Sequence, residues 1–263
     1  MVTLDQPGEG KGNGEDEGTV TVTFAGCGDA FGSGGRLQAC IHIRHGDRTP
    51  VLLDCGATSL TALRRFGLDP RAIGAVFVSH LHGDHFGGLP FLILDGQFSR
   101  RTAPLAVAGP PGTGHRLAEV MECFFPGSSQ VRRDFEVTVT ELEPGPSQDV
   151  AGVTVEAFQA SHPSGAPALI LRLALGGTVI AYTGDTAWTP EIALAAKSAD
   201  LLIAEAYYWD KKVPHHLSHT DLTDHERDLT ASRVVLTHMS ADMLARVGQA
   251  RHQAAYDGMV VSL

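Results

Sequence analysis

The chain has 263 residues, of which 43% are apolar and 30 are glycines. The apolar share is enough to build a buried core, and the glycines predict many tight turns. A formal net charge of −10 argues against nucleic-acid binding through a broad basic surface, because phosphate contacts need clustered Lys and Arg. The same charge is compatible with a small anionic substrate, since a bound metal pair reverses the local field.

The amino-terminal segment, residues 1–18, is acidic and rich in glycine. This composition predicts a disordered tail, and residues 19–263 are then expected to form one domain. The tail has no apolar stretch typical of a signal peptide, and no apolar run in the chain approaches the ~20 residues that cross a bilayer. The chain has four cysteines outside CxxC spacing, at Cys27, Cys40, Cys55 and Cys123. Together these features predict a cytoplasmic protein with free thiols and no membrane partner.

The first half of the chain alternates predicted strands and helices. A strand at 19–24 leads into a glycine-rich loop at 26–35, and strands at 40–44 and 51–54 follow. Next come, in order, a helix at 58–66, a short buried strand at 75–79, a helix at 89–99, a strand at 105–108 and a helix at 112–124. The strand at 75–79 is the one that carries a histidine-rich loop at its end.

The second half repeats this mixture with more strands. We predict strands at 135–141, 153–159, 168–174, 178–183, 201–205, 234–237 and 259–263. Helices are predicted at 190–198 and 242–253, and a mostly helical segment at 217–230. Strands and helices thus alternate in two successive sets. This order predicts an α+β fold in which two sheets pack together with helices outside, a four-layer αββα sandwich.

The histidine-rich loop offers four metal ligands within six residues, at His80, His82, Asp84 and His85. Two histidines at i and i+2 place both imidazoles on one side of an extended loop, and the following Asp-His pair faces a second position. Neutral imidazoles and a carboxylate suit divalent metal ions. The loop therefore predicts a metal centre, which needs further ligands from elsewhere in the chain.

Three more candidate ligands stand where a predicted strand ends in a turn. His162 follows the strand at 153–159, Asp185 follows the strand at 178–183, and His238 follows the strand at 234–237. A histidine or aspartate at any one of these positions would be ordinary. Their common placement at strand ends predicts that they complete the metal centre.

The segment at 79–90, SHLHGDHFGGLP, closely resembles the signature of the metallo-β-lactamase superfamily, and within it the ribonuclease Z and phosphodiesterase branch. The likeness continues in order over nearly the whole chain from residue 19. It implies the metallo-β-lactamase fold, two divalent metal ions and a homodimer. Zn is the expected metal, and Mn or Fe(II) suit the same ligands. The implied assignment is His80, His82 and His162 on one metal, Asp84, His85 and His238 on the other, and Asp185 as a bridge.

The same branch pairs a histidine that is not a ligand with a glutamate. By position these are His216 and Glu205, although His-Leu-Ser replaces the usual His-Ser-Thr and Ala-Glu-Ala replaces His-Glu-Ala. Because the motif is altered, His219 remains an alternative to His216. A protonated histidine held by a carboxylate would stabilise the phosphoryl oxygens or protonate the leaving oxygen. Asp84, besides binding metal, is expected to orient the attacking hydroxide.

The expected activity is hydrolysis of a small or cyclic phosphodiester, an anionic small molecule, by a hydroxide that bridges the metals. In true ribonuclease Z, a long arm inserted between the positions of His162 and Asp185 binds transfer RNA. Only 22 residues separate the two here, so we expect an arm-less member for which nucleic acid is a less favoured substrate. A ribonuclease Z-like tRNA 3′ endonuclease remains an alternative, as does a lactone, thioester or sulfate-ester hydrolase. The complete ligand set disfavours a metal-binding protein without turnover.

Several other side chains flank the predicted centre. Asp54, at the end of the strand at 51–54, resembles a carboxylate that braces the histidine loop. Lys211 or Lys212 would reach an anionic substrate from the loop that carries His216. Five aromatic residues near the site loops are candidates for a pocket lining: Phe31, Trp188, Tyr207, Tyr208 and Trp209.

Overall fold

The protein is described by a computed structural model over residues 18–263. Apart from Gly18, the predicted tail at 1–18 lies outside the described residues. Within the described part, fourteen strands form two seven-stranded sheets.

The strands in chain order are β1 (Val20–Gly26), β2 (Cys40–His45), β3 (Val51–Leu53), β4 (Ala75–Phe77), β5 (Leu105–Gly109), β6 (Val137–Glu141), β7 (Gln148–Val150), β8 (Val153–Gln159), β9 (Leu169–Leu175), β10 (Thr178–Tyr182), β11 (Leu201–Glu205), β12 (Val234–Thr237), β13 (Gln253–Ala254) and β14 (Met259–Ser262). The α-helices are α1 (Ser59–Arg65), α2 (Gly83–Phe86), α3 (Leu89–Phe98), α4 (Thr113–Phe124), α5 (Pro190–Ala196), α6 (His219–Asp224) and α7 (Ala241–Leu244).

The two sheets pack face to face and the longer helices cover their outer faces. The first sheet has the order β14-β1-β2-β3-β4-β5-β6 and the second β13-β12-β11-β10-β9-β8-β7. Apolar residues on the inner faces of both sheets, such as Ile41 and Leu171, share one buried cluster. A second cluster lies between the first sheet and α1, α3 and α4, and a third between the second sheet and α5 and α6. The predicted four-layer αββα sandwich is confirmed.

The directions of the strands bring the candidate ligands to one edge of the two sheets. In the second sheet β10, β11 and β12 are parallel, and β8 runs the same way as β10 because β9 is antiparallel to both. In the first sheet β3 and β4 are parallel neighbours. Loops that leave parallel strands at their carboxyl ends emerge at one edge of a sheet. The segments that follow β3, β4, β8, β10, β11 and β12 meet there.

The helix predictions toward the carboxyl end were too long. The predicted helix at 242–253 is helical only over α7, followed by a 3₁₀ turn at Val247–Gln249, where Gly248 lowers helix propensity. The predicted helical segment at 217–230 contains only α6 and a 3₁₀ turn at Glu226–Asp228. The short edge strands β7 and β13 were missed.

The structure also bears on the expected free thiols and on the question of a membrane-spanning helix. Cys27, Cys40, Cys55 and Cys123 are all free thiols, and the first three are buried. Burial raises the pKa of the Cys27 thiol above its ordinary value, so this group is held protonated. Among residues 18–263, the structure contains no helix with the length and apolar character that crossing a membrane requires.

Candidate metal centre

Three imidazoles meet in the first half of the centre. Nδ1 of His82 lies 3.2 Å from Nε2 of His80 and 3.1 Å from Nε2 of His162. The side chains of His80, His82 and His162 thus present three ring nitrogens to one point. Neutral imidazole nitrogens without protons repel one another unless a cation lies between them, so this arrangement suits a divalent metal.

The second half combines two carboxylates with two imidazoles. Nε2 of His85 lies 3.3 Å from an oxygen of Asp84 and 3.3 Å from Oδ1 of Asp185. Nε2 of His238 lies 3.2 Å from Asp84 and 3.5 Å from Oδ1 of Asp185. All four side chains are buried, and their ligand atoms lie within 4.8 Å of one another.

Asp185 lies between the two halves. Its Oδ1 faces His85 and His238, while its Oδ2 lies 3.9 Å from Nε2 of His80 and 4.0 Å from Nε2 of His162. One carboxylate therefore addresses both groups of nitrogens. This is the geometry that a bridging ligand requires.

In three of the rings, those of His80, His85 and His162, the outward nitrogen is held by another group, which leaves the inward nitrogen available. Nδ1 of His85 donates to Asp54 at 2.6 Å, and Nδ1 of His162 donates to the carbonyl oxygen of His215 at 3.0 Å. Nδ1 of His80 lies 3.1 Å from the hydroxyl oxygen of Ser79, whose proton goes to Asp54 at 2.8 Å. Such outer hydrogen bonds fix the tautomer of a metal-binding histidine.

Unpaired buried atoms provide an independent test of the fit. Nε2 of His85 and Oδ1 of Asp185 are buried and have no hydrogen-bond partner within residues 18–263. A polar atom left unpaired in the interior is costly, and coordination to a cation removes that cost. The residues present therefore fit a divalent metal site.

The pKa shifts of the carboxyl and imidazole groups are also those of a closely coupled cluster of ligands. Burial opposes ionisation of Asp84 and Asp185, yet neighbouring His85 and His238 outweigh burial and hold the pKa of each carboxyl below its ordinary value. Burial opposes protonation of His238, but Asp185 and other acceptors raise its pKa to about 10. Burial and the nearby His85 lower the pKa of His80. Protons and metal ions compete for these nitrogens, so metal binding releases protons.

Buried Glu205 and half-buried His216 form a pair beside the centre. Nδ1 of His216 makes a short hydrogen bond to Oε1 of Glu205, and Oε2 of Glu205 accepts from the backbone N–H groups of Thr186 at 3.0 Å and Leu217 at 3.2 Å. Burial lowers the pKa of His216, but the hydrogen bond to Glu205 outweighs it and the pKa is raised. Glu205, His216, Asp185 and His238 also lie close enough together to hold a metal as a group.

The structure separates His216 from the alternative, His219. His219 stacks on Trp209 with 4.2 Å between ring centroids, and its Nε2 accepts from the backbone N–H of Arg251 at 3.2 Å. His216 instead lines the cavity over the centre. His219 is thus engaged in packing, and His216 is the histidine that lines the cavity.

The cavity over the centre has a volume of about 210 Å³. It is lined by Ala30, Phe31, His82, Asp84, His162, Asp185, Tyr207, His216 and His238. Phe31 and Tyr207 are therefore pocket residues, as proposed for them from the sequence. The other three aromatic candidates contact neighbours instead: Trp188 stacks on His225, Trp209 on His219, and Tyr208 lies under the Lys211 ammonium.

Comparison with known proteins identifies the family. Residues 49–239 match the model of the beta-lactamase superfamily domain, a span that contains all seven candidate ligands. The chain belongs to the metallo-β-lactamase superfamily. It is a metal-dependent hydrolase of the ribonuclease Z-like branch, as the resemblance at 79–90 indicated.

Relatives within the superfamily cover nearly the whole chain. Ribonuclease Z from Haloferax volcanii is 27% identical over 299 aligned positions, covering 91% of this chain and 91% of that protein. The crystal structure of human tRNase Z, short form, superposes with a TM-score of 0.75 at 27% identity, covering 92% of this chain and 98% of that one. A diphosphatase from the PhnP family has a TM-score of 0.73 at 20% identity and covers 93% and 97%, a likeness that shows the fold alone.

Sequence reasoning missed an aromatic surface next to the centre. Phe91 and Phe124 line a second space that Asp84 shares with the metal cavity. Neither residue stands in a motif of the superfamily quoted above. The available signal was that Phe91 directly follows the signature segment and that Phe124 closes a predicted helix.

Proposed function

We propose that this protein hydrolyses phosphodiester bonds with the help of two divalent metal ions. His80, His82 and His162 would hold one ion, and Asp84, His85 and His238 the other, with Asp185 between them. When bound, such a pair lowers the pKa of a water molecule and neutralises charge on the phosphoryl oxygens. Zn is the expected ion, and Mn or Fe(II) suits the same ligands.

The observation that carries the proposal is the position of His216. Its Nδ1 lies 4.0 Å from Oδ2 of Asp185, and its ring lies 4.9 Å from that of His162. A histidine held by buried Glu205 at this place has a proton to give. Cleavage of a phosphodiester leaves an alkoxide, which needs that proton, and general acids of this kind contribute typically 10²–10⁴-fold to such rates.

The remaining residues have positioning roles. Asp84 would accept a hydrogen bond from the attacking water and so orient it toward phosphorus. Glu205 fixes the loop of His216 through the backbone of Leu217 and the loop of Asp185 through the backbone of Thr186. Buried Glu205 thereby holds in place both the proposed acid, His216, and the proposed bridging carboxylate, Asp185.

Two substrate classes are consistent with this chemistry. The names of the relatives, ribonuclease Z and tRNase Z, favour an RNA such as a tRNA, and we place this class first. A small or cyclic diester is the second candidate. It is favoured by the net charge of −10 and by the 22 residues between His162 and Asp185, which are largely used by the hairpin of β9 and β10.

The first experiment measures turnover of bis(p-nitrophenyl) phosphate by protein of known metal content, beside a thioester and a lactone. We expect about two metals per chain and diester cleavage, both reduced in Asp185→Asn. The matched control is Asp149→Asn, which changes an exposed carboxylate on the edge strand β7 and should leave both unchanged. Two metals with cleavage of only the thioester or the lactone would contradict the proposal.

A second experiment separates the substrate classes. A tRNA transcript with a 3′ extension and a set of cyclic nucleotides are each given at the same enzyme concentration. Endonucleolytic release of the extension with little turnover of cyclic nucleotides supports the RNA reading. The reverse pattern supports the small diester.

A further inference from the structure

A groove of about 510 Å³ adjoins the metal cavity. Its lining consists of Ala30, Gln38, Ala57, Gly83, Asp84, Gly87, Phe91 and Phe124. Ala30 and Asp84 also line the cavity over the metal centre, so the two spaces meet at these residues. A substrate whose phosphate lies at the centre can therefore extend a neighbouring group into the groove.

Two aromatic side chains dominate this groove. Phe91 on α3 is 37% exposed and Phe124 at the end of α4 is 49% exposed, with 5.8 Å between their ring centroids. Phe91 also meets Phe125 edge to face at 5.5 Å, so its ring is held by neighbours before any ligand arrives. The core contacts of α3 come from other residues, such as Leu89, Leu92 and Ile93. Packing of the core thus gives no reason for an exposed Phe91.

The polar groups of the groove restrict what it binds. Its lining within the described residues contains no Lys or Arg, which disfavours a phosphate or another anion. Gln38 adds a carboxamide, whose Nε2 donates to the carbonyl oxygen of Ala30 at 3.2 Å. Among the described residues, the groove thus offers aromatic faces, one amide, the Asp84 carboxylate at its junction with the metal cavity, and no positive charge. A flat, uncharged ring with polar edges has the matching chemistry.

We propose that this groove binds a nucleobase of the substrate, stacked on Phe91 and Phe124, next to the scissile phosphate. The inference rests on the proposed phosphodiesterase function and adds to it the place in the fold where a base of the substrate would bind. Stacking of bases on aromatic side chains tolerates any base, because every base has a π-face. Phe31, 84% exposed and lining the metal cavity beside Ala30, adds a further ring at the junction of the two spaces.

The test measures binding and does not depend on turnover. Isothermal titration of the metal-loaded protein compares adenosine 5′- and 3′-monophosphate with ribose 5-phosphate, which has a phosphate and a sugar but no base. We expect the better adenosine ligand to bind roughly 10-fold more tightly than ribose 5-phosphate. In Phe91→Ala/Phe124→Ala this preference should disappear while the affinity for ribose 5-phosphate stays the same.

Two further variants guard the interpretation. Phe91→Leu/Phe124→Leu keeps apolar volume and removes the aromatic faces, so it should fold and still lose most of the preference. Phe98→Ala is the matched control, because Phe98 is a 78% exposed phenylalanine on the same helix, outside the groove lining. It should keep the full preference.

The outcomes distinguish this inference from the proposed function. Equal affinity for the adenosine monophosphates and ribose 5-phosphate in the unmodified protein overturns the nucleobase subsite, whatever the turnover of bis(p-nitrophenyl) phosphate. A preference that survives in both double variants overturns it as well. A preference lost in the double variants but kept in Phe98→Ala supports the subsite, even if no diester is cleaved.

Discussion

Asp54 accepts a hydrogen bond from Nδ1 of His85 at 2.6 Å, although the two residues follow different strands of the first sheet. The same carboxylate accepts from the backbone and hydroxyl of Ser79 and from the hydroxyl of Tyr182, at 2.7 to 2.8 Å. Asp54 adopts a left-handed backbone conformation with φ of 58°, which is unfavourable for a residue with a side chain. The backbone of Asp54 is strained, and its buried carboxylate joins both sheets to the histidine loop.

Asp54→Asn should weaken metal binding by roughly 10- to 100-fold, the usual effect of losing an outer hydrogen-bond partner of a ligand. The amide is uncharged and presents one acceptor oxygen, so it cannot serve His85, Ser79 and Tyr182 together. Competition with a chromophoric chelator measures the affinity. Asp47→Asn, an exposed carboxylate in the β2–β3 turn, is the control, and an equal loss in both variants would contradict this role of Asp54.

Tyr182→Phe removes only one of the donors to Asp54 and keeps its charge. We expect metal affinity to fall less than in Asp54→Asn, and the free energy of unfolding to fall by about 1 kcal/mol for the lost buried hydrogen bond. Urea unfolding and the same chelator assay measure both quantities. A larger loss of metal affinity in Tyr182→Phe than in Asp54→Asn would show that the hydroxyl, not the carboxylate, orders the site.

His216→Ala should lower kcat for diester hydrolysis about 10²–10⁴-fold while two metals per chain remain bound. Glu205→Gln should also lower kcat, because the neutral amide no longer holds a protonated His216. His219→Ala, which removes a ring packed on Trp209, should keep kcat within about twofold. Metal analysis beside kinetics is decisive, since loss of one metal in His216→Ala would mean that His216 binds metal with Glu205.

Much of the proposed centre could be predicted because apolar strands, and the polar residues at their ends, are visible in the sequence. His162, Asp185 and His238 each follow an apolar strand, and the parallel order of β10, β11 and β12 brings such ends to one edge. The choice between His216 and His219 was not predictable. It depends on the turn at His215, whose φ of 69° is left-handed, and on the start of α6 just beyond it.

The aromatic groove was hidden for a different reason. The segment at 89–94 is apolar at every position, so helical periodicity gives no sign of which side chain faces outward. Only the packing of α3 against the first sheet and α4 shows that Phe91 is left on the surface. The contact of Phe91 with Phe124 joins two helices, and no local pattern encodes it.

Gly56→Ala should disrupt the metal centre through the backbone. An added Cβ at this position would lie 2.1 Å from the carbonyl oxygen of Asp84 and 2.8 Å from its carbonyl carbon, so the loop must move. We expect the free energy of unfolding to fall by about 2 kcal/mol or more and metal affinity to fall with it. Urea unfolding with and without metal measures both.

The control for this substitution is Gly114→Ala. Gly114 lies within α4, where an added Cβ meets nothing closer than 3.6 Å. Because Gly114 lies in the first turn of the helix, alanine should leave stability unchanged or raise it by less than about 1 kcal/mol, and leave metal affinity unchanged. If Gly56→Ala binds metal as tightly as Gly114→Ala, the close approach to Asp84 is not essential.

His42 should make the fold sensitive to acid. It is buried in β2, and burial together with Arg44 lowers its pKa from 6.5 to about 4. Above pH 6.5 it is neutral in both states, whereas below that value the unfolded chain binds a proton that the folded chain resists. Stability is therefore lost as the pH falls from 6.5 toward 4, by about 2 kcal/mol at pH 5.

Urea unfolding at pH 7 and at pH 5 tests this prediction. Between these two pH values, His42→Gln should lose about 2 kcal/mol less stability than the unmodified protein. The control is His115→Gln, which changes an exposed histidine on α4 and should lose as much as the unmodified protein. An equal loss in the unmodified protein and both variants would show that His42 is not responsible. The acid sensitivity would then come from groups that all three proteins share, such as the metal-site histidines.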